Sequence, residues 1–262
     1  MATTGRWKTA LTYGERDSVV MRGYRLDQLV GRVSFPEAFL LLALGELPPA
    51  GHVRTLEAMF VSVLDHGIVP SSIVTRYLAS SGTPLQAAVA GGVLAFGDTY
   101  GGACEQLAER LAHYRAPVAG GAQTVESAAT ALVRDFTARG LRVPGYGHAL
   151  HPNGDPRVPH LYAIAYRNGV TGEHSRLARA VEAELAGVKG RTLPMNQDGA
   201  LAALGLDLGL HWQLVRALAF VPRSAGLAVH AVEEIQRESG WRHVPDSEVD
   251  YDGPPLRQMP EA

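Results

Sequence analysis

Apolar residues recur at helical spacing through most of this chain. The stretch 34–47, "SFPEAFLLLALGEL", starts with a serine cap, has proline in its first turn and places a glutamate three residues after the serine, and "LPPAG" then ends the helix. The same spacing predicts helices over 52–63, 71–79, 84–96, 104–114, 124–139, 159–167 and 176–186, one after residue 195, and one or two between 214 and 240. β-Branched residues seldom alternate with polar ones, so we expect about ten helices, no convincing sheet and a mainly α fold class.

Small residues dominate one of these segments, "PLQAAVAGGVLAFG" at 84–97. Alanine and glycine allow helix backbones to approach closely. We therefore expect this helix to lie at the centre of the fold or at an interface.

Charge and cysteine content exclude several classes of protein. The 24 Lys and Arg residues nearly balance the 26 Asp and Glu residues, so no overall field attracts nucleic acid or an anionic membrane. The most apolar run, 38–44, is too short to span a bilayer, and the first twenty residues do not have the pattern of a signal peptide or an anchor. The single cysteine, Cys104, forms no internal disulfide, which favours a reducing, cytoplasmic compartment.

Chemically competent side chains cluster where helices break. Loops on a rigid helical scaffold are a common place for an active site. Arginine binds carboxylates through a planar fork, histidine exchanges a proton with a carbonyl oxygen, and an aspartate shielded from water accepts a proton from carbon. These residues predict proton transfer beside a carboxylate substrate. The clusters are Asp65-His66-Gly67, Tyr100-Gly101-Gly102, His148 with Arg157, and Asn196 with Asp198.

The stretch "VPGYGHALHPNGDPR" at 143–157 contains the most distinctive pattern. Its glycines permit turns closed to other residues, and its prolines prevent a regular helix, so His148 is expected on a shaped loop. From the residues alone, simpler interpretations stay open. His148 would then only bond a nearby carbonyl, Asp198 and His66 would serve as helix caps, and Arg223 would be a solvated arginine at a helix start.

Taken in order, these motifs resemble the citrate synthase family, and within it the citrate-synthase-like domain of ATP-citrate lyase and the free-standing citryl-CoA lyases. The stretch 143–157 is similar to the family's Gly-x-Gly-His signature that ends in Asp-Pro-Arg. "LPMNQDG" resembles its Pro-x-Asn-x-Asp element, "VLDHG" its first histidine loop, and "RGYRLDQLVGRVSFPEAFLLLALGELP" its N-terminal region. The resemblance extends from about residue 22 to about residue 245.

The resemblance implies a citrate-synthase-like fold, with residues 1–262 forming one unit that assembles as a homodimer. A larger helical part would comprise about 22–103 and 190–245, and a smaller one about 104–189. It also implies roles for individual residues. Asp198 would be the carbon-acid base, and His148 would exchange a proton with the oxygen on the oxoacid carbon. His66, Arg157 and Arg223 would bind carboxylates. Contacts with coenzyme A are expected from Val143, Gly145, Tyr146, Gly147 and Asn196.

Three positions depart from the family pattern. Tyr100, in "DTYGGACEQ", stands where synthases carry a second catalytic histidine, and its hydroxyl would either replace that hydrogen bond or leave the ring to pack. Pro152 stands where some synthases place an arginine for a phosphate of CoA. Arg242, in "ESGWRHVP", resembles an arginine supplied to the partner subunit's site, with a spacing from Arg223 that is one residue short.

The expected activity is that of a citryl-CoA lyase, which cleaves citryl-CoA or a close analogue to acetyl-CoA and oxaloacetate without ATP or metal. One alternative is a citrate or alkylcitrate synthase, and another is a non-catalytic paralogue that binds CoA esters or carboxylates. No tightly bound cofactor is expected, and a CoA thioester would be the substrate. The histidines lack paired His-x-x-x-His spacing, so no metal site is expected, and the chemistry needs no nucleophile at Cys104.

Overall fold

Eleven α-helices form the bulk of the molecule in the computed structural model, which describes residues 7–148 and 151–260. The mainly α class is confirmed. The helices are α1 Leu26–Leu29, α2 Phe35–Leu44, α3 Ala50–Val63, α4 Pro70–Ser80, α5 Leu85–Leu94, α6 Ala103–Ala119, α7 Val125–Ala138, α8 Arg157–Arg167, α9 Glu173–Lys189, α10 Gln197–Asp207 and α11 Ala217–Arg237.

A small antiparallel sheet precedes the helices, and here the expectation of no sheet is wrong. Strands β1 (Thr12–Glu15), β2 (Ser18–Met21) and β3 (Tyr24–Arg25) pair in that order, with Tyr13 opposite Val20. Strands of four, four and two residues are too short to show a two-residue period, and β1 and β3 are exposed. The pattern of apolar and polar residues therefore does not reveal these strands.

Helix α2 begins and ends as its sequence predicts. The Ser34 Oγ accepts a bond from the Glu37 amide at 3.3 Å, and the Glu37 carboxylate accepts one from the Ser34 amide at 3.4 Å. This reciprocal pair satisfies two of the free donors at the helix start. At the other end Gly45 adopts a φ of +91°, a conformation that favours glycine.

Helix α10 is the buried centre of the fold. Its residues from Gly199 to Leu206 are all buried, and it packs against α6, α8 and α9. Alanine, leucine and glycine cover every side of this helix, which is the composition of a helix surrounded by protein. Its N-terminus is therefore held rigidly and opens onto the loops described below.

The small-residue helix α5 packs closely on α4, as expected. A Cβ added at Gly92 would lie 2.0 Å from the Thr75 Oγ1 and 2.7 Å from the Ser71 carbonyl oxygen, so only glycine fits. Helix α11 packs on both α4 and α5. A role of α5 in an interface, and the division into a larger and a smaller part, stay predictions. Across residues 7–148 and 151–260, no helix is long and apolar enough to cross a membrane.

Candidate active site

A cleft of about 380 Å³ opens at the N-terminus of α10 and brings most of the predicted site residues together. It is formed where the loops after α3 and α5 meet the long loop before α8. Helix α11 closes one side through Ala219 and Arg223. The predicted residues that line it are His66, Tyr100, His148, Arg157, Asn196, Asp198 and Arg223.

Two backbone segments are joined edge to edge and place His148 beside the start of α10. The Asn196 amide donates to the Gly145 carbonyl at 3.0 Å, and the Gly147 amide donates to the Pro194 carbonyl at 2.7 Å. Gly145 has a φ of +85°, and a Cβ there would lie 2.9 Å from the Gly199 Cα. The glycines of the motif thus permit a close approach of two backbone segments. Ala149 and Leu150 of the same motif lie outside the described residues.

The C-terminus of α3 holds the two arginines. A terminal nitrogen of Arg157 donates to the Ser62 carbonyl at 3.3 Å, and the Arg223 Nε donates to the Val63 carbonyl at 2.8 Å. Carbonyls at a helix C-terminus lack partners within the helix and attract cations. Arg223 is buried inside α11, so the interpretation as a solvated residue at a helix start is wrong. Both arginines line the cleft.

Asp155, the aspartate of the Asp-Pro-Arg element, fixes the direction of the Arg157 side chain. Its Oδ1 accepts from Arg157 Nε at 2.9 Å and its Oδ2 accepts from a terminal nitrogen at 2.7 Å. Burial alone would raise the pKa of Asp155, but the hydrogen bonds and positive charge of Arg157, together with the hydrogen bond from the Gln197 backbone, lower that pKa. A buried carboxylate is therefore paired with one edge of the guanidinium of a residue that lines the cleft.

Asp198 lies in the first turn of α10, but it does not cap the helix. The cap is Asn196, whose Oδ1 accepts from the Gly199 amide at 3.2 Å. Burial raises the pKa of the Asp198 carboxyl, against the opposing effect of Arg157. The site thus favours the protonated acid more than water does, which suits a group that exchanges a proton with carbon.

His148 lies among other imidazoles. Its ring centroid is 4.7 Å from that of His151 and 6.5 Å from that of His66. Burial lowers the pKa of His148, and the neighbouring His151 lowers it further. The neutral imidazole is therefore favoured, and this form can accept a proton.

The Tyr100 side chain is engaged at both ends. Its hydroxyl lies 3.0 Å from the Ser71 Oγ, and its ring packs on Phe96 with centroids 5.3 Å apart. Gly101, at a φ of +77°, turns the chain directly after it. These contacts agree with the packing role, and a catalytic hydrogen bond from the hydroxyl stays a prediction.

A second cavity of about 440 Å³ adjoins the first, and His148 lines both. Val143, Tyr146, Gly147 and Pro152 also line it. Its other walls include three basic residues that the sequence did not single out, Arg142, Lys189 and Arg191. An apolar cavity with several cations suits a ligand that combines an organic chain with phosphates.

Three residues predicted to contact the ligand, Gly145, Asn196 and Arg242, are bonded to other parts of the protein. The Gly145 carbonyl is taken by the Asn196 amide, and the Asn196 side chain donates to the Gly147 carbonyl at 2.8 Å while it caps α10. Both residues shape the loops between the two cavities. Arg242 lines neither cavity and pairs instead with Glu234 at 2.7 Å in its own chain. Their predicted ligand contacts stay predictions.

Cys104 is fully buried under the Tyr100 loop. Its thiol donates to the Gly101 carbonyl at 3.6 Å, and burial raises the pKa of the thiol. A thiol in this state is a poor nucleophile. In the described ranges 7–148 and 151–260, no three His, Cys, Asp or Glu side chains are grouped to hold a metal ion.

The basic residues of the second cavity and Asp155 were missed for different reasons. Arg142 directly precedes the glycine motif, so its place beside a ligand loop was visible in the sequence. Lys189 is the last residue of α9 and Arg191 follows its glycine cap, and a sequence pattern cannot place this helix end against that loop. Asp155 stands in the sequence only as part of the Asp-Pro-Arg element, and its bond to Arg157 depends on side-chain direction, which the sequence does not show.

Asp198 has a raised pKa and His148 a lowered one, and both line a cleft with two arginines. Such a site is suited to proton transfer on a carboxylate substrate. The family model for the C-terminal domain of citrate synthase matches residues 48–243. The chain belongs to the citrate synthase family, as the motifs predicted, and its members include enzymes of the lyase and synthase types.

The chain is similar to several solved structures and curated proteins. Citryl-CoA lyase from Hydrogenobacter thermophilus superimposes with a TM-score of 0.88 and is 38% identical, over 97% of each chain. ATP citrate lyase from Methanosaeta concilii, solved with (3S)-citryl-CoA, shares the fold with a TM-score of 0.80 at 22% identity, over 97% of this chain and 43% of that one. Citrate synthase 2 from Bacillus subtilis is 24% identical over 220 residues, which are 83% of this chain and 56% of the relative. The chain spans about half the length of the curated relatives it matches.

Proposed function

We propose that this protein is a citryl-CoA lyase, which cleaves citryl-CoA or a close analogue to acetyl-CoA and an oxoacid, oxaloacetate for citryl-CoA itself. The observation that carries the proposal is the meeting of Asp198, His148, Arg157 and Arg223 in one cleft, beside a second cavity with basic walls. The likeness to a citryl-CoA lyase over nearly the whole of both chains supports cleavage as the direction.

Cleavage moves two protons and breaks one carbon–carbon bond. His148 accepts the proton of the citryl hydroxyl as the bond between the hydroxyl carbon and the thioester CH₂ breaks, which leaves a ketone. The electron pair of that bond goes to the thioester as an enolate. Protonated Asp198 then delivers its proton to the CH₂ carbon, and this forms the methyl group of acetyl-CoA. Solvent returns a proton from His148 to Asp198.

The displaced pKa values favour this starting state. Cleavage needs a neutral histidine and a protonated aspartate, and the site shifts both groups in that sense. Condensation would begin from the ionised aspartate. The Tyr100 hydroxyl agrees with the same direction, since it lies 3.0 Å from the Ser71 Oγ and so already has a partner where synthases carry a histidine.

The arginines would bind the carboxylates of the citryl group. The protein holds Arg157 and Arg223 from behind, through Asp155 and the end of α3. Because both residues line the cleft, their remaining N–H groups would form charge-assisted bonds with a substrate carboxylate. His66, on the wall of the same cleft, would provide a further donor.

Coenzyme A would occupy the second cavity. Its phosphates would pair with Arg142, Lys189 and Arg191, and its thioester end would reach the shared wall at His148. This arrangement would replace the phosphate arginine that Pro152 displaces. Replacing Lys189 and Arg191 with alanine should raise the KM for citryl-CoA about tenfold and leave the affinity for free oxaloacetate unchanged. Arg32→Ala is the matched control, because this exposed arginine lines neither cavity.

The direct experiment offers the purified protein citryl-CoA in one vessel and acetyl-CoA plus oxaloacetate in another. Oxaloacetate is followed by a coupled reduction and free CoA by its thiol. Oxaloacetate without thiol from the first mixture supports the lyase. Rapid thiol release from the second supports a citrate or alkylcitrate synthase, an alternative that the synthase relatives favour. Binding of oxaloacetate without turnover in either vessel would indicate a non-catalytic paralogue.

A further inference from the structure

One face of α11 holds the short segment that presents His66 to the cleft. Arg223 bonds the Val63 carbonyl at 2.8 Å. One turn later, Gly226 lies so close to the segment that a Cβ would stand 2.3 Å from the Leu64 carbonyl oxygen. After another turn, the His230 Nε2 lies 2.8 Å from the Asp65 Oδ1.

These positions share one side of the helix, because residues three, four and seven apart face the same way. Three successive turns of α11 therefore contact three successive residues of the segment, Val63, Leu64 and Asp65. The last of these directly precedes His66.

The hydrogen bonds of His230 define its tautomer. The Arg76 Nε donates to the His230 Nδ1 at 3.0 Å, so Nδ1 is the acceptor and Nε2 bears the proton. That proton is donated to Asp65. The other oxygen of Asp65 accepts from the Gly67 amide at 3.1 Å, which closes a turn around His66.

Arg76 is itself anchored in a network of charges. It pairs with Glu233 and, at 2.9 Å, with the fully buried Glu234. Arg242 also bonds Glu234, at 2.7 and 2.9 Å. Arg76 is fixed by its bonds to two acids on the helix that carries His230. Its bond to Nδ1 in turn fixes the imidazole with Nε2 directed at Asp65.

We propose that His230 is a positioning residue for the substrate: through Asp65 it fixes the turn that aims His66 at the carboxylate-binding cleft. The proposal rests on the proposed function in so far as His66 binds a carboxylate. His230 lines neither cavity of the site, so it would act only through Asp65 and the turn.

The test uses His230→Leu, which removes both hydrogen bonds, and His230→Gln, whose amide keeps a donor near the position of Nε2. The leucine variant should raise the KM for citryl-CoA about 5- to 10-fold and change kcat less than twofold. The glutamine variant should recover most of the loss. His113→Leu is the matched control, because His113 is an exposed histidine of α6 that lines neither cavity.

A double-variant cycle tests the route through Asp65. Asp65→Ala should raise KM to the same extent as His230→Leu, and the two together should be no worse than either alone. The proposal would be overturned if the increases in KM of the two single variants multiplied in the double variant. It would also be overturned if His230→Leu had an unchanged KM and an unchanged melting temperature. A KM defect equal in the glutamine and leucine variants would also contradict it.

Whether the protein is a lyase and whether His230 positions His66 can be tested separately. If the wild-type protein does not cleave citryl-CoA, the same variants are titrated with oxaloacetate. In parallel, the imidazole signals of His66 are recorded by NMR and assigned with His66→Gln. His230→Leu should shift those signals while His230→Gln and His113→Leu leave them near their wild-type positions. Unshifted signals in the leucine variant would refute the positioning role whatever the substrate.

Discussion

Both carboxylate oxygens of Asp155 accept hydrogen bonds from the Arg157 guanidinium, and Oδ2 also accepts one from the backbone N–H of Gln197 at 3.2 Å. Gln197 is the first residue of α10 and directly precedes Asp198. A single buried carboxylate thus joins a proposed substrate arginine to the helix that carries the proposed acid. This link fixes the position of the two groups relative to each other.

Asp155→Asn should loosen that connection. The amide retains one acceptor and loses the paired charge, so we expect a loss of about 2 kcal/mol of stability and a rise in the KM for citryl-CoA of about tenfold. Urea unfolding gives the first value and steady-state kinetics the second. A variant with wild-type KM would show that Arg157 is held well enough by the Ser62 carbonyl alone.

Asp155 should also make stability depend on pH in the acid range. Its pKa is lower in the folded protein than in the unfolded chain, where it is about 3.9, so the folded state binds its proton less readily. The resulting stability is fully present above about pH 4 and is lost as the pH falls through the lower folded pKa. Urea unfolding at several pH values should therefore show a shallower acid decline in Asp155→Asn than in the wild type.

Asp198→Asn should abolish proton delivery to carbon, since an amide cannot supply the proton. We expect turnover to fall on the order of a hundredfold or more, with the fold retained. Incorporation of solvent deuterium into the methyl group of acetyl-CoA reports the step directly. Wild-type incorporation in this variant would remove Asp198 from the mechanism.

The pH profile of cleavage should be bell-shaped. His148 must be neutral, so activity should fall below a pKa that lies under the ordinary value of about 6.5, and Asp198 must be protonated, so activity should fall above a pKa that lies over about 3.9. The profile of kcat/KM from pH 4 to 9 measures both limbs. An acid limb at or above pH 6.5 would contradict the lowered pKa of His148.

Lysine should not replace either cleft arginine. It carries the charge but lacks the planar fork, and at Arg223 it would also lose the bond to the Val63 carbonyl. Arg157→Lys and Arg223→Lys should each weaken oxaloacetate binding by about 2 kcal/mol in calorimetry. Arg32→Lys serves as the control, and equal affinity in all three variants would exclude the arginines from the carboxylate site.

Tyr100→Phe should change turnover less than about threefold, because the hydroxyl is already bonded to Ser71 and the ring packs on Phe96. The lost hydrogen bond should cost about 1 kcal/mol of stability, and Ser71→Ala should cost a similar amount. A loss of turnover near a hundredfold in Tyr100→Phe, with KM unchanged, would instead assign the hydroxyl to the transition state.

The sequence predicted the helices because their signals are local. The capping pair at Ser34 and the apolar period over α3 depend on neighbouring residues, so the pattern finds them. The short strands have no such period. The cleft residues were found through motif order, and their meeting follows from the backbone pairing of Gly145 and Gly147 with the segment before α10.

The sequence pattern does not predict which way a side chain points. Nothing in the spacing of Asp155 and Arg157 shows that one grips the other, and Lys189 reaches the second cavity only because α9 packs beside the glycine loop. The bond of His230 to Asp65 joins residues 165 positions apart. Such contacts follow from helix packing, which a single sequence does not specify.

The burial of Cys104 has a practical consequence for measurement. A disulfide reagent that reports free CoA should find no competing protein thiol while the enzyme is folded, since the only cysteine in the chain is inaccessible and un-ionised. The same reagent also measures how often the structure around Cys104 opens, because the thiol reacts only when it is exposed. The rate at which Cys104 is labelled, with and without oxaloacetate, would give the frequency with which the floor beneath the Tyr100 loop unfolds, and so a direct reading of how strongly a bound oxoacid closes the site.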